Sequence, residues 1–577
     1  VYKMIGRYYE LGGELNNEYG KSYRPRKQQI TMAREVYDTL KSNENLVVEA
    51  GTGVGKSLGY LIPLAFQLKR SKKKIRGIVS VGTKNLQSQL WNDRHIIEKM
   101  FELEIAMIKG RTSYPCLEKL DKNGYEVREC VNSNSELVAP YVNNNFFTES
   151  ELCKGRSCSY YDECIPRRKR LKALNADIII ANNTLTVLNI ELDGVIMGKF
   201  EYAIFDEAHE LSDDVRRTLS SQVTPRGMKQ TADEGNITDE RFRMHIGDFE
   251  KKLEEVSKDI EEDVEFKGEI AEQFNHIKPV PVLKADEKIE KACKSLNKQI
   301  EIYNKVIKGA KEGGNIKEYY SFNKKSLNIK QIDVTKFFIK LDKSFKSIVF
   351  TSATIFEGRE DLRYFRNFIG KTFPIHRTLD VGTVFDFDKQ MKLWCSQDYD
   401  KNTEDYPDKV VKVIKRLVTK RKPGEGIVVL FTSVKIMDRV AEQLTEYSLH
   451  RQHRENPNFK EEFLKDKEGI LLGVKSCWTG MDIKGDKLKY LVIAGLPFDA
   501  LTWENTKVEE YLKNIGKNPF MDYSVPKMIN TLRQGIGRLI RTVDDSGSVF
   551  LLDNKLLSGK MYTKVIFQSL PTRIKEF

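Results

Sequence analysis

The sequence predicts an α/β protein built from two strand–helix series, the first interrupted by two insertions of different character. Three observations carry this. An apolar run, Leu46–Val48, leads through a glycine-rich stretch into a helix expected to begin near Lys56, the strand–loop–helix order of a phosphate site. A second strand–helix alternation starts after about residue 385 and has no such loop. Between 109 and 174 the alternation gives way to cysteines and basic residues, and between 217 and 336 to highly charged sequence with helical periodicity. At 577 residues the chain exceeds one core, and roughly 100–200 residues per domain suggests about three to five units.

The phosphate loop is the firmest element. Gly51, Gly53 and Gly55 lack a β-carbon, so the backbone of Ala50–Ser57 (Ala50, Gly51, Thr52, Gly53, Val54, Gly55, Lys56, Ser57) can curl and aim N–H groups at one point. The helix that follows adds its positive end. Lys56 brings a mobile charge to the outer phosphates, and the Ser57 hydroxyl is a magnesium ligand. The strict pattern starts with glycine where this chain has Ala50, a mild departure because the later glycines make the tightest turn. The chain is therefore expected to bind a nucleoside triphosphate.

The elements around the loop follow in order. Ahead of it, Gln29 in Arg24–Met32 can meet an adenine edge with its amide. Gly77–Val81 reads as a strand leading to Thr83–Leu90, where Thr83 either donates to a nucleic-acid phosphate or caps the next helix. Strands resume at Ala176–Ala181 and Tyr202–Phe205, the second running into Asp206-Glu-Ala-His209. Asp206 would hold magnesium opposite Ser57, and Glu207 would take a proton from the attacking water; the plainer reading is an acidic helix cap. Ser347–Phe350 is a strand ending in the hydroxyl cluster Thr351–Thr354.

Within the charged insertion, Phe249, Leu253, Val256, Ile260 and Val264 recur at helical spacing, and so do Ile289, Cys293, Leu296, Ile300, Tyr303 and Ile307. They predict two amphipathic helices folded on each other, with Cys293 as inert core. Strands of the second series are expected at Met391–Cys395, Ile427–Phe431, Ile470–Val474, Tyr490–Ala494 and Val549–Leu552. On a helix Gln534, Arg538 and Arg541 would share one face. Such polar groups are costly to bury unless an anion meets them, as in an ATPase whose second domain closes on a nucleotide.

Composition narrows the partners less. Lysine and arginine total 96 against 83 acidic residues, a net charge of +13, which alone is weak evidence for nucleic acid. No run of 18 apolar residues exists, so no membrane span is expected. No basic-then-apolar leader opens the chain, and Val1 leaves its natural start open. Five of the eight cysteines fall between 116 and 164. Cys153-x4-Cys158-x5-Cys164 follows Cys116 with 36 residues between. Soft thiolates in a loop-rich, basic stretch suit zinc or an iron–sulfur cluster, and spacing alone leaves both open.

Taken in order, Arg26 and Gln29, Ala50–Ser57, Thr83–Leu90, Asp206–His209, Thr351–Thr354, Phe431–Ser433, Trp478–Asp482 and Gln534–Arg541 resemble the motifs of superfamily-2 DNA helicases of the XPD/DinG type. The resemblance covers essentially the whole chain. It implies an α/β fold of two RecA-like domains, with an iron–sulfur domain and a helical arch domain inserted in the first. The ranges are 1–107, 176–216 and 337–356 for the first domain, 108–175 for the cluster domain, 217–336 for the arch and 357–577 for the second domain. Arg26, Gln29 and Asp482 join the phosphate loop in holding ATP, and Lys56, Asp206, Glu207, Gln534, Arg538 and Arg541 are the implied catalytic set. A [4Fe-4S] cluster on Cys116, Cys153, Cys158 and Cys164 is implied, with Cys130 outside the pattern. Departures are Asn182-Asn183 where Asn-His is usual and Thr479 where an acid is common. The nuclease domain fused ahead of some relatives is not expected, since about 44 residues precede the first strand.

The implied function is an ATP- and Mg²⁺-dependent DNA helicase tracking 5′→3′ on single-stranded DNA and opening duplex or forked DNA, with R-loops and RNA–DNA hybrids as further substrates. Arg111, Arg156, Arg167, Arg168, Lys169 and Arg170 would line the strand's path, or simply face solvent. Tyr114, Tyr160 and Tyr161 would stack on bases or pack the cluster. The alternative is a DNA-stimulated ATPase that remodels protein–nucleic-acid complexes without processive unwinding; the intact ATP motifs argue against a non-catalytic scaffold. A cytoplasmic monomer, nucleoid-associated if bacterial, completes the expectation.

Overall fold

The computed structural model describes residues 2–125, 127, 153–282, 287–314, 316–357, 361–453, 456, 458–474, 477–478, 483, 485–500 and 502–576. Its first sheet holds β1 (Asn45–Glu49), β2 (Gly77–Val81), β3 (Ile105–Met107), β4 (Ile178–Asn182), β5 (Tyr202–Asp206), β10 (Ser347–Ser352) and β11 (Arg377–Asp380). All seven are parallel, in the order β11-β1-β10-β5-β2-β4-β3. Helices cover both faces, which is why the central strands are continuous apolar runs. Alternate residues feed separate cores: Val48, Val79, Ile180 and Ile204 pack into one, Val47, Ile78, Ile179 and Phe205 into the other.

The second sheet repeats the arrangement with β12 (Met391–Cys395), β13 (Ile427–Phe431), β14 (Leu449–Arg451), β15 (Ile470–Gly473), β16 (Tyr490–Ala494), β17 (Gly547–Leu551) and β18 (Ile574–Glu576). They too are all parallel, in the order β14-β15-β13-β16-β17-β12-β18. Every strand expected from sequence in this half is present. The unexpected ones, β14 and β18, are outermost strands of three residues, too short for any periodicity to mark them.

Two expectations are corrected. The chain stays with the first sheet past residue 356, because β11 pairs with β1 from Leu46↔Arg377 to Glu49↔Asp380. The second domain's own sheet begins only at Met391. As an outermost strand with the polar sequence Arg-Thr-Leu-Asp, β11 carries no apolar run to announce it. In the charged insertion, the first amphipathic helix covers Glu240–Val256 and stops there, with Ser257 donating its N–H to the Leu253 carbonyl. Ile260 follows in a turn, and Val264 belongs to a strand and is 38% exposed. The second helix, Glu287–Lys311, carries its apolar series as expected, with Cys293 buried.

That insertion is not purely helical. It holds β6 (Ser221–Val223), β7 (Val264–Glu265), β8 (Glu318–Phe322) and β9 (Leu327–Gln331) in an antiparallel sheet of order β6-β9-β8-β7. Phe249, Phe266, Phe274, Tyr303 and Phe322 fill a separate core, with Phe249 and Tyr303 rings 4.8 Å apart. The insertion leaves the first domain yet rests on the second. Tyr319 meets the Trp503 ring edge-on at 4.5 Å, and Lys507 pairs with Glu265 at 3.1 Å. Among the described residues no helix is long and apolar enough to cross a membrane.

Candidate active site

Because β1, β10 and β5 are adjacent and parallel, their carboxyl ends open at one edge, where α/β sheets bind ligands. The loop after β1 turns through Gly53 and Gly55, at φ +81° and +86°, the left-handed region that a side chain disfavours. Space forbids one as well: a β-carbon at Gly53 would lie 2.4 Å from the Phe385 ring, and at Gly55 2.5 Å from Gln29 Nε2. The helix Lys56–Arg70 starts where the sequence places it.

At this edge Lys56, Asp206 and Glu207 meet. Lys56 Nζ lies 2.8 Å from Glu207 Oε1 and 3.7 Å from Asp206 Oδ1. Tyr60 donates its hydroxyl to Asp206 Oδ2 at 2.9 Å, and the Glu207 N–H donates to Asp206 Oδ1 at 2.9 Å. Burial raises the Asp206 carboxyl and Glu207 raises it further, against the lowering by Lys56. Burial also pushes Glu207 upward, but Lys56, His209 and Ser352 overcome it and hold the group down at about 2. Lys56 keeps its proton more tightly than a free lysine, since the two carboxylates outweigh its own burial. The Asp206 carboxylate and the Ser57 hydroxyl are oxygen donors of the kind that magnesium takes.

A relay runs from Glu207 into the second domain. Ser352 donates to Glu207 Oε2 at 3.2 Å, and His209 Nδ1 is 2.7 Å from Ser352 Oγ. Gln534 Nε2 is 2.6 Å from His209 Nε2. With Gln534 donating, the imidazole carries its proton on Nδ1 and passes the direction of donation to Ser352. The Thr351–Thr354 cluster thus reaches the acidic pair through Ser352.

Arg26 is exposed, whereas Gln29 is buried and already engaged. Gln29 Nε2 donates to the Gly55 carbonyl at 2.8 Å, and both residues line a cleft of about 340 Å³ with Tyr19, Tyr23, Gly55 and Ser57. The interdomain linker also reaches the loop: the Gly51 N–H donates to the Gly382 carbonyl at 3.0 Å, and Gln28 donates to the Thr383 carbonyl at 2.9 Å.

The shared helical face for Gln534, Arg538 and Arg541 does not form. The helix Val525–Ile536 ends at Gly537, so both arginines lie beyond it. Gly537 stands against the phosphate loop, where a β-carbon would be 3.8 Å from Thr52 Cγ2. Arg538 Nε donates to the Trp478 carbonyl at 2.7 Å, and the backbone N–H groups of Arg541 and Thr542 donate to Asp545. Asp482 and Thr479 lie outside the described residues.

Sequence reasoning missed two groups here. Glu49, 5% exposed, ends β1, and Arg533 crosses from the second domain to meet it. A lone acid ending the otherwise apolar run Leu46–Val48 was the available signal. Elsewhere, Thr83 caps its helix, accepting from the Leu86 N–H at 3.3 Å. Asn183 is buried between Ser80 and Asp214.

Of the cysteines, Cys116 and Cys164 precede short helices, Cys116, Cys158 and Cys164 are half-buried, and Cys153 is exposed. Burial raises the Cys158 thiol, and Glu118, Cys116 and Cys164 add to it. Burial likewise raises Cys164, with Cys153 and Cys116 adding. Thiols are the soft donors that a thiophilic metal centre takes. Among the described residues, however, no group of three or more His, Cys, Asp or Glu is arranged to hold a metal ion. Cys130 lies outside the described residues. Arg170 is a strut rather than a free cation, donating to the Val195 and Ile196 carbonyls at 2.6 and 3.1 Å. Arg167 pairs with Asp162 at 3.2 Å and covers the Tyr161 ring. Tyr114 spends its hydroxyl accepting the Lys109 N–H, and Tyr160 packs with Leu117 and Leu120.

Comparison with known proteins agrees with this geometry. Residues 30–144 match the DEAD/DEAH box helicase family and residues 414–573 the helicase C-terminal domain family. The chain is 29% identical to the ATP-dependent DNA helicase YoaA of Haemophilus influenzae, over 98% of this chain and 96% of that one. It is 26% identical to the ATP-dependent DNA helicase DinG of Photobacterium profundum, over 98% and 97%. Among solved structures, an XPD helicase superposes with a TM-score of 0.63 at 16% identity, over 96% of this chain and all of the other.

Proposed function

This chain belongs to the DinG/XPD-type helicases of superfamily 2, and we propose that its cleft drives movement along single-stranded DNA, 5′→3′, to open forked duplexes. The protein is an ATP-dependent DNA helicase; the polarity, the fork preference and any action on RNA–DNA hybrids are our reading. The polarity follows the family resemblance, while the observation that supports an ATP-driven closure of the cleft is the Glu207–Ser352–His209–Gln534 chain, which ties the phosphate-side acid of one domain to the other domain.

Lys56 occupies Glu207 at 2.8 Å. Phosphates of ATP compete for the same ammonium, and when Lys56 turns to them Glu207 loses the charge that holds it down. It then regains basicity where an attacking water needs a proton acceptor. Asp206 and Ser57 would hold magnesium, which supplies charge neutralisation at the phosphates. With the domains closed as here, Gln534 stands on His209, and Arg538 and Arg541, just beyond it in the chain, would add positive charge to the transferring phosphoryl. Gln29, Arg26 and the tyrosine-lined cleft would receive the base, and Asp482 would support the far side.

The 108–175 segment is proposed as the iron–sulfur domain, with Cys116, Cys153, Cys158 and Cys164 as ligands. Support comes from four soft donors gathered in a loop-rich, basic stretch of sequence. The centre would neutralise them and tie down a stretch with little core of its own. The 217–336 insertion is proposed as the arch, supported by its separate core and its seat on the second domain. Arg111, Arg156, Arg168 and Lys169 remain as candidate phosphate contacts.

Steady-state ATP hydrolysis with and without single-stranded DNA tests the motor. Hydrolysis is expected to rise with DNA, and Lys56→Ala is expected to abolish it while much of the DNA affinity persists. Near-normal hydrolysis in Lys56→Ala would remove the assignment.

A further inference from the structure

One charged contact joins the two domains beside the phosphate loop and involves none of the groups assigned to phosphate. Glu49 is buried at the end of β1. Its Oε2 accepts the N–H groups of Ile355 and Phe356, just past β10, at 2.6 and 2.8 Å. Arg533 Nη2 reaches its Oε1 at 2.5 Å, while Nη1 lies 3.4 Å from Oε2 and 3.1 Å from the Phe356 carbonyl. The next residue, Gln534, is the one that meets His209.

We propose that Arg533 is a positioning residue for ATP hydrolysis, its two-pronged ion pair with Glu49 holding the closed cleft and setting where the Val525–Ile536 helix presents Gln534. Glu49's two backbone donors belong to its own domain and stay with it when the cleft opens. Arg533 belongs to the other domain and leaves. The ion pair therefore contributes to the closed arrangement alone, which is the differential contact a population shift requires. Its planar fork also fixes orientation, which a lysine's point charge does not. A Glu49 left buried without its guanidinium disfavours closure. Gln534 rides one residue further along the same helix, so an error in seating is passed directly to the relay.

This rests on the helicase reading of the same cleft. The test compares full-length wild type, Arg533→Gln and Arg533→Lys in steady-state ATP hydrolysis at saturating single-stranded DNA. In parallel, energy transfer between dyes at Leu11 and Met561, 72% and 74% exposed on the two domains, reports closure with a non-hydrolysable ATP analogue and DNA. Arg533→Gln is expected to lose about 10- to 100-fold in kcat with KM for ATP little changed, and to remain open where wild type closes. Arg533→Lys is expected to recover part of both. Wild-type kcat in Arg533→Gln would overturn the proposal, as would a slow variant that closes normally. A wild type with no DNA-stimulated hydrolysis would instead remove the helicase reading.

Discussion

At the residue scale, the cleft is governed by how few partners each buried charge has. Lys56, Asp206 and Glu207 share one ammonium between two carboxylates, and the pair splits accordingly, Asp206 raised and Glu207 lowered. Glu357 shows the opposite case. Six per cent exposed, its carboxyl is pushed up to about 8 by burial, against the lowering by the Tyr364 N–H that donates to it at 2.5 Å. Its folded pKa lies above its unfolded one, so the folded state binds the extra proton. Stability is fully present below about pH 4.5 and falls as pH rises to about 8, by up to about 1.4 kcal/mol per pH unit. Glu357→Gln keeps an acceptor for Tyr364 and cannot ionise. Its urea midpoint is expected to vary less than that of wild type between pH 5.5 and 7.5, and equal slopes would show that Glu357 is ionised throughout.

At the element scale, strands with an apolar run between two helical layers were readable, because burial on both faces leaves no polar alternation to confuse them. β11, β14 and β18 were not, since outermost strands need no such run. The phosphate loop and the acids at the end of β5, Asp206 and Glu207, were legible because each is local to one turn. The arginines after Gln534 were misplaced because helical spacing says nothing of where a helix stops, and here it gives way after Ile536 to tighter turns, Arg538 N–H to Gly535 and Leu539 N–H to Ile536. The insertion's sheet was hidden by charged sequence, and it depends on one close approach. A β-carbon at Gly309 would lie 2.0 Å from Tyr320 Cζ, so Gly309→Ala separates the Glu287–Lys311 helix from β8. The expected cost is about 1–3 kcal/mol, read as faster amide exchange within 217–336 while DNA-independent ATP hydrolysis is unchanged. Unchanged exchange there would mean the ring simply rotates away.

At the scale of the whole molecule, two parallel sheets provide the motor and two insertions provide what distinguishes it. The cysteine segment has only Leu117 and Leu120 as a described buried cluster, with Val127, Tyr160 and Ile165 packed against it, so a metal centre would be its main support. Cys158→Ser is expected to lose iron, visible absorbance and strand separation while the two sheets and basal hydrolysis persist. Cys130→Ser is expected to keep all of these. Iron analysis of anaerobically purified protein decides it, and a wild type holding zinc alone would reassign the centre. The central claim is that hydrolysis in this cleft separates DNA strands. The direct measurement is unwinding of forked and singly tailed duplexes, with the tail on either end, in the presence and absence of ATP. The expected result is ATP-dependent separation of the forked and 5′-tailed duplexes by wild type, and none by Lys56→Ala. DNA-stimulated hydrolysis with no strand separated from any substrate would contradict it and leave a remodelling ATPase in its place.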